Sequence, residues 1–362
     1  MSNIEIDRKN LTISTPLSRY LKMKNPIWQA GMFAAAGSDL CAAVSNAGGL
    51  GCIGGLGFTP DLLRKQVKAI KKNLNDPNLP FGIDLALPQV GGSARKTNYD
   101  YTNGQLPELI DVVVESGAKL FVSAIGVPPP WAVKKLHDNN ILIMNMIGSV
   151  KHIKKAIEAG CDIMCCQGSE GGGHTGSITT SILIPAAVDE CKGFKSRLTG
   201  EPIYVVAAGG IYDGRGLAMA LSLGAQGVWI GTRFVCATEA SAPKKHQEAI
   251  INCGIHDTIR TTVISGRPLR ALRNEYIVNW EEKKHSELNE LLKRGIIPFK
   301  RDFEDENSTD EEKRYLIRNR PWLMGQVAGL IHDVKPAKVI VDEIVSDCIK
   351  VFDKNLTFIS KL

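Results

Sequence analysis

IYVVAAGGIYDGRGLAMALSLGAQGVWIGTRF, residues 203–234, contains the pattern that decides the fold. Two short apolar runs each end in glycine, and a helical segment separates them. Neither run alternates polar with apolar residues, which is typical of strands buried on both faces. Because parallel neighbouring strands need a crossover between them, this stretch predicts one βαβ unit.

The same alternation extends outward from this stretch toward the N-terminus. The predicted helices between the runs often end in glycine, as helices commonly do. Eight such units predict an α/β protein with a (β/α)8 TIM barrel, and a doubly wound open sheet is the alternative. The eight predicted strands lie at residues 26–32, 50–55, 80–87, 119–126, 141–148, 162–168, 203–210 and 227–234.

The pattern changes after Phe234. Residues 239–322 mix helical and irregular sequence, including an acidic loop at 301–314, and an amphipathic helical period then resumes. We therefore expect the barrel to comprise residues 1–238 and 323–362. A smaller helical insertion, or lid, domain is expected at 239–322, after strand eight.

Composition excludes several classes of protein. The chain has 362 residues with 44% hydrophobic and 23% charged residues, which is ordinary for a globular protein. Its net charge of +6 is scattered, which argues against a nucleic-acid partner, and no apolar run is long enough to span a membrane. The nine cysteines lie mostly in apolar runs and lack zinc-ligand spacing, so buried free thiols and no metal are expected.

The sequence ends in Ser360-Lys361-Leu362. This tripeptide is read by the peroxisomal import receptor. It predicts that receptor as a partner and the peroxisomal matrix as the location, with the cytoplasm as the alternative.

A barrel of this kind has its active site in the loops at the carboxyl ends of the strands. No lysine ends a predicted strand, which argues against Schiff-base chemistry. Asp84 and Glu170 fall on different loops. They leave a glycosidase pair open, although nothing else in the sequence supports one.

The loops after strands seven and eight predict a phosphate site. They read AAGGIYDGRG (207–216) and IGTRF (230–234). Main-chain N–H groups at Gly209, Gly210 and Gly231 can approach phosphate oxygens closely, and Thr232 can add a hydroxyl. A phosphorylated ligand or cofactor is therefore expected.

Several motifs, taken in order, resemble the nitronate monooxygenase family of FMN-dependent barrels. They are QAGMFAAAG (29–37), FGIDLALP (81–88), QGSEGGGHTG (167–176), AAGGIYDGRG (207–216) and GTRF (231–234). GRPLRALRN (266–274) and MGQVAGLI (324–331) also resemble the family, so the resemblance covers nearly the whole chain. The segment VGGSARKTNYDYT (90–102) is similar to the fungal branch.

The resemblance implies FMN as cofactor and a set of residues around it. Asp84 stands where bacterial relatives resemble FGVNL with asparagine, and a carboxyl there can donate a hydrogen bond only when protonated. The phosphate would lie at Gly209, Gly210, Gly231 and Thr232. The ring would lie against Gln167, Gly172, Gly173 and the strand-one loop, Gly31, Met32 and Phe33.

The resemblance places the catalytic base at His174. A histidine can take the proton beside a nitro group when neutral, or pair with a nitronate anion when protonated. The surrounding glycines would let the main chain pass close to a planar ring. The expected reaction converts a nitronate or nitroalkane and O2 into a carbonyl compound and nitrite.

Two other functions stay open at this stage. The same scaffold could carry an NAD(P)H-dependent quinone or enoyl-thioester reductase, or a non-catalytic domain that binds a phosphorylated ligand. Four residues have undecided roles. Tyr99 and Tyr101 could bind the nitro group or pack at the mouth, Arg233 could pair with phosphate or form an ion pair at the rim, and Gln326 could reach the flavin.

Overall fold

The eight predicted apolar runs form eight parallel strands in a computed structural model, which describes residues 11–92 and 94–360. The predicted import signal falls partly outside the described residues, since Lys361 and Leu362 lie beyond them. The strands are β1 Ile27–Gln29, β2 Gly51–Gly54, β3 Phe81–Leu85, β4 Leu120–Ser123, β5 Leu142–Ile147, β6 Ile163–Gln167, β8 Tyr204–Ala208 and β9 Val228–Ile230.

These strands close into a barrel. Their order in the sheet is β1-β9-β8-β6-β5-β4-β3-β2, and a parallel bridge between Trp28 and Leu50 joins the two ends. The predicted TIM barrel is confirmed, and the alternative of an open doubly wound sheet is wrong.

Helices cover the outside of the barrel. The longest of them, α15, packs against α8 and α2 and so completes the outer ring. The helices of the barrel are α1 Pro16–Tyr20, α2 Ser38–Asn46, α3 Pro60–Asn73, α4 Leu106–Ser116, α5 Pro130–Asp138, α6 Ile153–Glu158, α7 Thr180–Cys191, α8 Gly214–Ser222, α9 Thr232–Val235 and α15 Ala337–Leu356.

Both faces of the strands are buried, which explains why the runs do not alternate. On β4, Val122 packs inside the barrel, whereas Phe121 packs toward the surrounding helices. Leu17 of α1 joins the interior cluster, and the Thr15 hydroxyl donates to the carbonyl of Gln226, just before β9. Helix α1 thus closes the amino end of the barrel and leaves the carboxyl end for a ligand.

The segment between β9 and α15 contains strands as well as helices. β10 Thr258–Thr261 pairs with β11 Leu269–Leu272, and β11 pairs with β7 Gly173–His174, all antiparallel. The insertion, which the sequence predicts to be helical, therefore also contributes to a small antiparallel sheet. Its helices are α10 Lys244–Ile251, α11 Glu275–Val278, α12 His285–Lys293, α13 Pro298–Glu304 and α14 Asp310–Arg318.

All nine cysteines are buried and free, as predicted. Within the described part of the chain, no helix has the length and apolar character required to cross a bilayer. Nor does that part bring three His, Cys, Asp or Glu side chains together in a way that could hold a metal ion.

Candidate active site

A cavity of about 700 Å³ opens at the carboxyl ends of the barrel strands. This volume lies in the range common for small-molecule sites. The fold brings all of the sequence-predicted site residues to the wall of this one cavity. They are Gly31, Met32, Phe33, Asp84, Gln167, Gly172, Gly173, His174, Gly209, Gly210, Gly231 and Thr232.

Unpaired main-chain donors lie where the phosphate site is predicted. Gly209 and Gly210, after β8, adopt φ of +90° and +72°, a left-handed conformation that favours glycine. Among the described residues, the N–H groups of Gly210, Ile211 and Gly231 have no hydrogen-bond acceptor, and all three residues line the cavity. Because unpaired main-chain N–H groups that line a concave surface form a site for anions, this set suits an anionic ligand.

The protein also leaves room for a methyl group at Gly231. A Cβ added there would lie 3.6 Å from the Met32 sulfur, an ordinary contact. Packing within the chain therefore does not require glycine at this position. The unpaired donors on the cavity wall fit the phosphate of a flavin nucleotide.

Thr232 and Arg233 have contacts within the chain. The Thr232 hydroxyl accepts a hydrogen bond from the Gly325 N–H at 2.9 Å, and its own proton stays free to donate. The Arg233 guanidinium lies 2.7 Å from an oxygen of Asp333 and does not line the cavity. Of the two roles open for Arg233, an ion pair is the one observed.

The loop between β6 and α7 is rich in glycine largely because it packs against other main chain, which leaves little room for side chains. A Cβ on Gly172 would lie 2.7 Å from atoms of the Met324–Gly325 backbone, and one on Gly176 would lie 2.1 Å from the Gly148 carbonyl oxygen. The expectation that these glycines serve a close approach to a ring does not account for them. At Gly173 a Cβ would meet nothing within 4 Å, but φ of +69° favours glycine.

Gln167 holds this loop in place. Its side-chain amide donates to the carbonyls of Gly172, at 3.2 Å, and His174, at 2.9 Å. Gln167 thus fixes the course of the main chain that carries His174.

His174 is held on a strand rather than on a free loop. It lies opposite Leu269 in the β7–β11 pairing, and its Nε2 is 2.8 Å from the Ser265 hydroxyl. That hydroxyl donates to the Arg267 carbonyl at 3.3 Å and can therefore accept the Nε2–H. This arrangement leaves the lone pair of the imidazole on Nδ1.

The surroundings of His174 favour the neutral imidazole. Its side chain is exposed to the space inside the cavity, whose walls are formed by protein. Burial, with the nearby charge of Arg267, lowers the pKa of His174 to about 4. The imidazole is therefore neutral at physiological pH, which suits a proton acceptor and not a cationic partner for a nitronate.

Asp84 is a second ionisable group on the cavity wall. No hydrogen-bond partner is present for its carboxyl among the described residues, and burial raises its pKa to about 8. A Cβ on Gly31 would lie 2.5 Å from this carboxyl. Any other side chain at position 31 would therefore clash with Asp84, which explains the glycine. At neutral pH Asp84 is mostly protonated, which meets the condition for donating a hydrogen bond.

Glu170 serves the fold. Its carboxylate accepts from the N–H of Thr180, at 3.0 Å, and from the Thr180 hydroxyl, at 3.2 Å. It thus caps the first turn of α7. This contact offers no support for a glycosidase pair with Asp84.

Some of the residues that the sequence left undecided or missed also reach the cavity. Tyr101 lines it, whereas Tyr99 and Gln326 do not. His246 and Trp322 stack at 5.1 Å on its wall, and no motif pointed to them. The Trp322 indole could be suspected only from its position in the predicted insertion.

Comparison with known proteins identifies the relatives of the chain. Residues 14–347 match the family described as nitronate monooxygenase. A probable nitronate monooxygenase of Staphylococcus saprophyticus is 33% identical, over 75% of this chain and 82% of its own. A (3aS,4S,5R,7aS)-5-hydroxy-7a-methyl-1-oxo-octahydro-1H-indene-4-carboxyl-CoA dehydrogenase of Mycobacterium tuberculosis is 28% identical, over 94% of this chain and 97% of its own.

Solved structures share the architecture. FabK from Thermotoga maritima superposes with a TM-score of 0.74 at 28% identity, covering 96% of this chain and 100% of its own. A nitroalkane oxidase from Streptomyces ansochromogenes gives the same TM-score at 22% identity, covering 93% of this chain and 99% of its own. At that identity the second likeness supports the fold alone.

Proposed function

The chain belongs to the nitronate monooxygenase family of flavin oxidoreductases, and on that premise we propose that it uses FMN and O2 to oxidise nitronates and nitroalkanes. The observation that carries the proposal is a single cavity that joins a neutral histidine to a set of unpaired main-chain donors. The products would be a carbonyl compound and nitrite.

The unpaired N–H groups of Gly210, Ile211 and Gly231, with the Thr232 hydroxyl, would hold the FMN phosphate. The strand-one loop, Gln167 and Asp84 would line the ring. When bound, FMN would supply the electron transfer between the nitronate and O2. The protein contributes binding, orientation and control of the proton.

His174 would accept the proton that a neutral substrate must lose. A nitronate anion needs no base, whereas a neutral nitroalkane must first lose the proton on the carbon beside its nitro group. The lone pair on Nδ1 can accept this proton, because Ser265 engages Nε2. Gln167 and the pairing with β11 keep the imidazole on the cavity wall.

Oxygen consumption and product analysis test the proposal. The purified yellow protein, supplied with propane-2-nitronate in air, is expected to consume O2 and release acetone and nitrite. The same protein stripped of flavin should do neither. No oxygen uptake by the flavin-loaded protein would overturn the proposal.

A reductase is the second candidate. It is supported by two relatives that match nearly the whole chain, the CoA dehydrogenase and FabK. Oxidation of NADH or NADPH that depends on an added quinone or enoyl-CoA, with no turnover of nitronates, would favour this function.

Peroxisomal import and the fungal branch stay predictions. They are supported by the tripeptide at 360–362 and by the segment at 90–102, respectively. Fluorescence microscopy of the full chain with an N-terminal fluorescent tag, with and without Leu362, tests the import signal.

A further inference from the structure

The cavity extends beyond the ends of the barrel strands to an apolar wall built by the insertion. We call this the outer wall, and it consists of Phe299, Phe303, Leu316, Ile317 and Trp322. Phe299 and Phe303 lie on α13 and stack at 5.8 Å, while Leu316 and Ile317 lie on α14. The outer wall and His174 line the same cavity, so one ligand can contact both.

Parts of the outer wall are more exposed than apolar side chains usually are. Phe303 is 62% exposed and Ile317 is 65% exposed, and Phe33 on the strand-one loop is 63% exposed on the same cavity. Single exposed apolar residues are common, but a group of them on one cavity marks a binding surface. A ligand that covers them gains the free energy of their burial.

The charges on the cavity wall select the chemistry of that ligand. Arg320 lies 5.6 Å from the ring of Trp322, where it brings a positive charge to the outer part. The acidic residues on the described cavity wall are Asp84 and Glu170, and both lie near the barrel strands. The Glu170 carboxylate accepts a hydrogen bond from Thr180. Because the described residues of the outer wall include no carboxylate and Arg320 beside them is positive, an apolar chain fits this wall better than a cationic group does.

We propose that the outer wall is an alkyl-binding subsite, which selects nitronates with medium-length hydrocarbon chains over short ones. This inference rests on the proposed function for the reacting end of the substrate. The nitronate group lies at the barrel end near His174, and its chain extends along Phe303 and Ile317. Each methylene that reaches the wall should lower the dissociation constant by about threefold to fourfold.

Binding of n-alkyl carboxylates tests the subsite without turnover. A carboxylate shares the planar, two-oxygen anion of a nitronate but cannot be oxidised in its place. Calorimetric titration of the flavin-loaded protein with the series from butanoate to nonanoate should show affinity rising with chain length. The double variant Phe303→Ser/Ile317→Ser should lose most of that rise while binding butanoate as the wild type does.

Ile182→Ser is the matched control. Ile182 is 63% exposed on α7, close to the value for Ile317, but it does not line the cavity. This variant should keep the full dependence on chain length. Affinity independent of chain length in the wild type, or an equal loss in Ile182→Ser, would overturn the subsite.

Oxidation rates with nitronates from 1-nitropropane to 1-nitrooctane separate the two proposals. If KM falls along the series, both stand. If no nitronate is oxidised but carboxylate affinity still rises with length, the proposed function fails and the subsite stands. If all nitronates are oxidised with the same KM and carboxylate affinity does not change with chain length, the subsite fails and the proposed function stands.

Discussion

His174 owes its protonation state to its neighbours. Burial and Arg267 keep it neutral, and Ser265 occupies Nε2, so a base rather than a cation faces the cavity. A base of this kind contributes about 10² to 10⁴ in rate where a proton must be removed. It contributes little where the substrate is already an anion.

His174→Asn should therefore separate two kinds of substrate. We expect kcat/KM for neutral nitroethane to fall by about 10² or more, whereas ethylnitronate keeps most of its rate and FMN stays bound. Steady-state oxygen uptake with each substrate measures the difference. Equal losses for both would show that His174 acts in some other step.

The pH dependence follows from the same pKa. A base works only when deprotonated, so kcat/KM of the wild type for nitroethane should rise with pH through about 4 and be level from about pH 6 to 7. A rise centred near the ordinary histidine value of 6.5 would contradict the lowered pKa of His174.

The raised pKa of Asp84 predicts how the stability of the folded protein depends on pH. Its pKa is raised from 3.8 to about 8 in the folded protein, so the folded state holds this proton more tightly than the unfolded chain does. The resulting stability is present in full below pH 3.8 and is lost as the pH rises toward 8. Asp84→Asn cannot ionise and escapes this loss.

The melting temperature of Asp84→Asn relative to the wild type should therefore increase from pH 4 to pH 8. Thermal unfolding of both flavin-free proteins in matched buffers measures the difference. A constant difference across this range would mean that Asp84 ionises normally.

At the scale of elements, the glycine-rich loop and the turn after β9 use glycine for different reasons. Gly172 lies against the Met324–Gly325 backbone, whereas the space beside Gly231 contains no atom closer than 3.6 Å to an added Cβ. A methyl group at the first site must displace main chain. At the second it enters the cavity.

Gly172→Ala and Gly231→Ala should thus fail in opposite ways. Gly172→Ala should lower the free energy of unfolding by about 1–3 kcal/mol, because overpacked main chain cannot easily move. Gly231→Ala should unfold like the wild type but bind FMN at least tenfold more weakly. Urea unfolding of the flavin-free proteins and FMN titration measure the two effects, and equal stability losses would contradict this assignment.

The same elements show how far the sequence could predict the structure. The eight strands were readable because each is buried on both faces and so appears as an unbroken apolar run. β10 and β11 were not, because they are short and include Arg260 and Arg270 in place of an apolar run. The pairing of β7 with β11 joins residues far apart in the sequence, which no local pattern reveals.

The candidate site, like the strands, could be predicted only where a local sequence pattern was sufficient. Residues at strand ends, such as Gly209 and Gln167, could be predicted because the barrel brings all strand ends to one face. Arg233 and Glu170 could not be assigned, since their partners Asp333 and Thr180 are known only from the fold. His246 and Trp322 lie outside any motif and reach the cavity through the insertion.

At the scale of the whole molecule, barrel and insertion share one cavity. The barrel end supplies the unpaired donors and His174, while the insertion supplies the outer wall and, through β11 and Ser265, the support of His174. This division agrees with a family whose members share a scaffold and differ in activity. The identity of the electron donor is therefore the central question.

Anaerobic mixing of the purified, flavin-loaded protein with propane-2-nitronate or with NADH tests that question most directly. The account predicts that the nitronate bleaches the yellow colour within a turnover and that NADH leaves it unchanged. Rapid bleaching by NADH, with no change on addition of the nitronate, would contradict it.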